Sequence, residues 1–110
     1  METLVHEKIC RLSELAPYQG RSAMIDGEQV ALFYIPSAGV FAVQNWDPIG
    51  QAFVLSRGIV GDVKGRLCVA SPLYKQHFCL ESGQCIENED VRLKVYPVVI
   101  EGEDIIITLN

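Results

Sequence analysis

Asp47, Tyr74 and His77 are the residues of this 110-residue chain whose types could serve as acid, base or nucleophile from loop positions. Such chemistry needs the groups within hydrogen-bond reach of one another and of a substrate, and nothing in their spacing provides that. Cys79, Cys85 and His77 have the residue types of a zinc site, yet the chain has no C-x-x-C pair, the spacing that marks such sites. Cys10, Cys68, Cys79 and Cys85 therefore read as buried thiols acting as small hydrophobes. The run GIVGDVKG, Gly58 to Gly65, has regularly spaced glycines but lacks the Gly-Lys-Ser/Thr ending and the following helix of a phosphate loop. Gly58, Gly61 and Gly65 are expected at backbone turns.

These residues sit between strands. RSAMIDGEQVALFYIP carries Asp26-Gly27 between two runs rich in β-formers, a strong hairpin signal. Gly39 marks a second reversal before Val40, Phe41 and Val43. Further on, GRLCVAS, HFCLESGQCI, VRLKVYPVVI and DIIITL are separated by Ser82-Gly83, by the acidic stretch Glu87 to Asp90 and by Glu101-Gly102. In VRLKVY the residues Val91, Leu93 and Val95 alternate with Arg92, Lys94 and Tyr96, the period of a half-buried antiparallel strand. The helical signal is confined to RLSELAP, where Ser13 is placed to cap one turn before Pro17 stops it. Seven or so short strands with almost no helix predict an all-β sandwich or barrel. Gln44 to Arg66 interrupts the even spacing, and long connections in compact domains are often functional.

Composition narrows the classes further. Nearly half the chain is apolar, enough for one domain with a real core. No run approaches the roughly 20 apolar residues of a membrane helix. The opening METLVHEKICRLSE mixes acids with bases and has no apolar core region, so no signal peptide and a cytoplasmic location are expected, a compartment in which disulfides are rare. The net charge is −5, with nine basic residues scattered among fourteen acidic ones. That distribution does not suit a nucleic-acid backbone.

The order of features resembles the Rieske domain: ICRLSEL, the Asp-Gly hairpin, VFAVQNWDP, then SRGIVGDVKGRLCVASPLYKQHFCLESGQC and a closing hairpin. The resemblance implies one domain over residues 1–110, an antiparallel β-sandwich with a smaller loop-bearing lobe at about residues 44 to 80. In iron–sulfur members one loop supplies Cys-x-His and the other Cys-x-x-His. Here those positions fall on Asn45 and Asp47, and on Ser71 and Tyr74. A [2Fe–2S] centre needs thiolate sulfur, which an amide, a hydroxyl and a phenol cannot replace.

With all four ligands absent but SRG, ASPLYKQHF and LESGQC present, the chain is similar to the small subunits of cytoplasmic NAD(P)H-dependent nitrite reductases. That resemblance implies a cofactor-free accessory chain of the assimilatory enzyme. Its partner would be a large subunit carrying FAD, an iron–sulfur cluster and siroheme and reducing nitrite to ammonium. The alternative in another class is a Rieske-type [2Fe–2S] electron-transfer ferredoxin.

The resemblance also brings the two loops together. Asp47 and Tyr74 could then hydrogen-bond across them, and Arg57 is either a solvated charge or a pair for Asp47. Trp46, Pro48 and Ile49 on the first tip, with Pro72, Leu73 and Tyr74 on the second, form an apolar and aromatic set suited to docking a partner. Trp46 itself is open to two readings, a ring folded over the core or an interface anchor.

Overall fold

The structure, a computed structural model, describes residues 5–109. The expectation of no leader falls partly on residues 1–4, and the expected span of 1–110 ends at residue 110; those positions lie outside the described residues. Among the described residues twelve strands follow in order: β1 (Val5–Arg11), β2 (Gly20–Ile25), β3 (Glu28–Ile35), β4 (Gly39–Gln44), β5 (Trp46–Asp47), β6 (Ala52–Phe53), β7 (Ile59–Val63), β8 (Arg66–Ala70), β9 (His77–Cys79), β10 (Val95–Tyr96), β11 (Val98–Glu101) and β12 (Asp104–Leu109). Two short 3-10 turns, Leu12–Glu14 and Leu55–Arg57, complete the elements, and no α-helix is present among the described residues.

Turn chemistry sets the register. Asp26 and Gly27 both have positive φ, 47° and 80°, the two-residue turn that matches strand twist. Ile25 consequently pairs with Glu28, and β2 runs against β3 out to Gly20 opposite Phe33. Lys64 and Gly65 repeat the device with φ of 52° and 83°, pairing Val63 with Arg66.

Four antiparallel sheets result, with strand orders β1-β12-β11, β10-β4-β3-β2, β5-β6 and β7-β8-β9. The first two enclose one core. From β12 come Ile105, Ile107 and Leu109, alternating with half-buried Ile106 and Thr108; Val30 and Leu32 of β3 face them with Ile25, Ala42 and Tyr96. A second core gathers Ala31, Phe33, Val43, Leu55, Val69, Phe78, Leu80, Cys85 and Leu93 beneath the smaller lobe. Each large aliphatic side chain removed from water in this way contributes about 1.5–3 kcal/mol. The expected lobe at residues 44 to 80 is present, and its core reaches on to Leu93.

Four local expectations are corrected. Ser13 caps nothing: Arg11 occupies the cap position, and Glu14 Oε1 accepts its N–H at 3.1 Å. Only Val95–Tyr96 of VRLKVY joins a sheet ladder, and Tyr96 is buried rather than outward. The stretch before it runs beside Gln44, whose N–H donates to Lys94 O at 2.9 Å and whose Oε1 accepts Lys94 N–H at 2.7 Å. Gly61 lies within β7, paired with Cys68, rather than in a turn. Gly58 closes a 3-10 turn, but its requirement is closeness: a Cβ there would stand 2.5 Å from Ala70 O.

Candidate functional site

The site is built where β4 hands the chain to the first loop and β8 to the second. Asn45 follows β4 directly and is 2% exposed. Its Oδ1 accepts Ser56 N–H at 2.8 Å and its Nδ2 donates to Gln29 Oε1 at 3.1 Å, so its amide faces the chain's own framework. Asp47, in β5, has no exposed surface. Its Oδ1 accepts the N–H groups of Ile49 and Gly50 at 2.9 and 3.0 Å, and its Oδ2 accepts the hydroxyl of Ser71 from the other loop. A buried polar group needs such partners to offset lost hydration.

Ser71 sits just past β8 at 1% exposure and organises the second loop. Its N–H donates to Gln76 O at 2.9 Å, and its carbonyl accepts Lys75 N–H at 3.0 Å. The loops also touch through apolar atoms, because a Cβ on Gly50 would meet Leu73 Cδ1 at 2.4 Å. Every buried side-chain nitrogen and oxygen among the described residues has a partner.

Of the four ligand-equivalent positions, Asn45, Asp47 and Ser71 are buried, and the structure brings Asp47 and Ser71 together while Asn45 bonds Ser56 and Gln29. Tyr74 is 65% exposed. The contact expected between Asp47 and Tyr74 is made instead by Ser71, three residues earlier, because the turn that Ser71 closes directs its short hydroxyl inward. Nor is Arg57 among the hydrogen-bond or ion-pair partners of Asp47, whose acceptors are taken by Ile49, Gly50 and Ser71.

The fold family implies a [2Fe–2S] cluster here, and these residues do not fit one. The amide of Asn45 is turned to Ser56, the carboxylate of Asp47 accepts from Ile49, Gly50 and Ser71, and neither position offers sulfur or imidazole. The zinc trio also fails to assemble. His77 Nδ1 lies 2.5 Å from Glu87 Oε2, and Cys85 Sγ faces Gln76 Oε1 at 3.6 Å and Glu87 Oε1 at 3.8 Å. No group of three His, Cys, Asp or Glu side chains among the described residues could hold a metal. All four cysteines are buried and free. Cys68 and Cys79 are partners across β8 and β9, and burial, reinforced by Cys79, pushes the Cys68 thiol up to about 11. As a catalytic set, Asp47, Tyr74 and His77 are not joined by any hydrogen bond.

The six docking candidates divide. Pro72, Leu73 and Tyr74 are exposed on the second tip, whereas Pro48 is half-buried and Ile49 packs against the second core. Trp46 is half-buried and meets Phe53 edge-on, ring centroids 4.8 Å apart, in a groove with Met24 and Tyr96. Phe53 was missed from sequence, since the two-residue strand that carries it is too short to show a period.

Comparison with known proteins identifies the family of this fold. The Rieske-like [2Fe-2S] domain family matches residues 5–108. The chain is 45% identical to the nitrite reductase (NADH) small subunit of Salmonella typhimurium over 91 residues, 82% of this chain and 84% of that one. It superposes on the solved Escherichia coli protein NirD with a TM-score of 0.90 at 36% identity, covering 98% of this chain and 99% of the other. It is also 36% identical over 96 residues to the nitrite reductase [NAD(P)H] large subunit of Klebsiella oxytoca, 87% of this chain but 10% of that one. The chain belongs to the Rieske-like [2Fe-2S] domain family, among its nitrite reductase small subunits.

Proposed function

We propose that this chain, as one domain over residues 1–110, is a cofactor-free accessory subunit of an assimilatory NAD(P)H nitrite reductase in the cytoplasm. The observation that carries the reading is the hydrogen-bonded clasp of Asp47 and Ser71 at positions where a cluster would need metal ligands. A loop pair held by its own polar contacts keeps its shape without a metal, so it can still dock while passing no electrons. The large catalytic subunit would hold FAD, an iron–sulfur cluster and siroheme, and carry nitrite to ammonium. The similarity to a stretch inside the longer Klebsiella oxytoca large subunit supports such a partner, since a domain found fused in one protein is a natural companion of the rest in another. The docking end is the second tip, Pro72, Leu73 and Tyr74, with Trp46, Pro48 and Ile49 beside it. A chain of this kind adds no reacting group; its contribution is to hold its partner's surface.

Co-expression with the large subunit tests this directly. The expected result is a complex that survives gel filtration, together with a small chain that, purified alone, is colourless and carries no stoichiometric iron. About two irons per small chain with visible absorption would instead establish the ferredoxin reading. Failure to capture the large subunit would remove the accessory role.

A further inference from the structure

Next to the clasp lies a cavity of about 460 Å³. The apolar Ile59, Ala70 and Pro72 and the basic Arg57, Lys75 and His77 line it, and Ser71 connects it to the clasped loops. Every ionisable side chain in that lining is basic, on a chain whose net charge is −5. Neither Arg57 nor Lys75 takes part in an ion pair among the described residues. His77 is fixed by Glu87, whose Oε1 accepts its backbone N–H at 2.7 Å and whose Oε2 meets Nδ1 at 2.5 Å, which leaves Nε2 for a ligand. Lys75 is held at a φ of 55°, a conformation that glycine adopts at lower cost, by its N–H bond to Ser71 O. Ile59 is 77% exposed, an apolar side chain beside the cations with nothing of its own chain over it.

We infer that this cavity receives an acidic segment of the nitrite reductase large subunit, a carboxylate between Arg57 and Lys75 and a neighbouring apolar side chain against Ile59, Ala70 and Pro72. The inference rests on the proposed function and adds to it the chemistry of the contact. Charge complementarity selects the occupant: free cations with apolar walls match a carboxylate on an apolar body. A small inorganic anion would fill little of the volume and gain nothing from the apolar walls. A nucleic acid would need basic residues spread along a path rather than gathered at one cavity. Where the similar stretch is fused within a longer chain, tethering supplies a high effective concentration; a separate small chain must find its partner by surface affinity.

The test measures affinity for the purified large subunit at two salt concentrations, using wild type, Arg57→Gln, Lys75→Gly and the control Lys8→Gln. Lys8 lies on the β1 sheet, paired with Asp104 at 3.2 Å. Arg57→Gln and Lys75→Gly are each expected to weaken binding about tenfold and to flatten the salt dependence, with Lys8→Gln unchanged. Lys75→Gly relieves a positive φ, so its melting temperature should hold or rise, which separates lost docking from lost folding. Wild-type affinity in both cavity variants would overturn the inference and leave the proposed function standing. A wild-type chain that binds no large subunit would overturn both. Sodium nitrite titrated alone should leave the His77 and Lys75 resonances unmoved; saturable shifts would make the cavity a small-anion site and overturn the inference.

Discussion

The hydroxyl of Ser71 donates across the lobe to Oδ2 of Asp47, and both residues are sealed from solvent. This bond ties the two loops at the place where related domains use metal. Asp47→Ala would strand two N–H groups and a hydroxyl together, and about 3 kcal/mol of stability should be lost. Ser71→Ala removes one donor and should cost about 1–2 kcal/mol. Urea denaturation reads both; an Asp47→Ala variant within about 0.5 kcal/mol of wild type would show that water enters and replaces the carboxylate.

Two glycines three residues apart should answer oppositely to alanine. At Gly58 a Cβ would press on Ala70 O at 2.5 Å and Val69 Cγ2 at 2.6 Å, so Gly58→Ala should destabilise by about 1–3 kcal/mol. A Cβ at Gly61 meets nothing within 4 Å, and Gly61→Ala should gain roughly 0.5–1 kcal/mol by reducing the freedom of the unfolded chain. Equal melting temperatures would contradict the packing described for Gly58.

Acid and alkali should each remove a different half of one contact. The Glu28 carboxylate is held below its usual range by the hydrogen bond from Lys94 and then by that from Tyr96. A lowered folded value contributes stability that is complete above the unfolded value of about 4.3 and is lost as pH falls through the folded one. Burial, followed by Glu28, raises the Tyr96 phenol, so its contribution is complete below about 10 and fades as pH rises. Glu28→Gln should flatten the acid limb of a stability profile and Tyr96→Phe the alkaline limb. Profiles parallel to wild type would exclude the contact as their source.

Cys79 should be alkylated before Cys68. Burial pushes the Cys79 thiol up, but hydrogen bonds from Ser82 and from the Glu81 N–H outweigh it and bring it below its ordinary value. Cys68 is pushed up to about 11 and is 1% exposed, against 6% for Cys79. Thiolate fraction and access therefore favour the same residue. Peptide mapping after brief iodoacetamide treatment decides it, and labelling of Cys68 first would contradict the assignment.

Trp46 meets Phe53 at an interplanar angle of 62° on a partly open surface. Trp46→Ala should then cost about 1–2 kcal/mol of stability, less than the roughly 3–5 kcal/mol of a core tryptophan. Its affinity for the large subunit, measured beside the melting temperature, should fall if the ring also contacts that partner. A collapse in melting temperature would make Trp46 a core residue.

Much of this architecture was legible because turns are local. Asp26-Gly27, Gly39 and Glu101-Gly102 each mark a reversal that the structure contains, and the alternation in DIIITL is the burial alternation of β12. What escaped depends on distant partners. Tyr96 reads as an outward residue because sequence does not reveal that Glu28, 68 positions away, receives its hydroxyl. The run before it passes for strand because Gln44 supplies side-chain bonds that no period encodes. At the site, sequence does not reveal the choice of Ser71 over Tyr74 as the partner of Asp47, which follows from how the second loop closes on Ser71 N–H and O.

Strand β3 carries Val30 and Leu32 into one core and Ala31 and Phe33 into the other. It is a shared wall: two hydrophobic chambers are floored by opposite faces of one strand, which therefore has almost no side for water. Its neighbour β4 extends the wall, giving Ala42 to one chamber and Val43 to the other. The tips can thus carry different chemistry without dismantling the building behind them, whereas a polar replacement at either parity of the wall would breach a chamber.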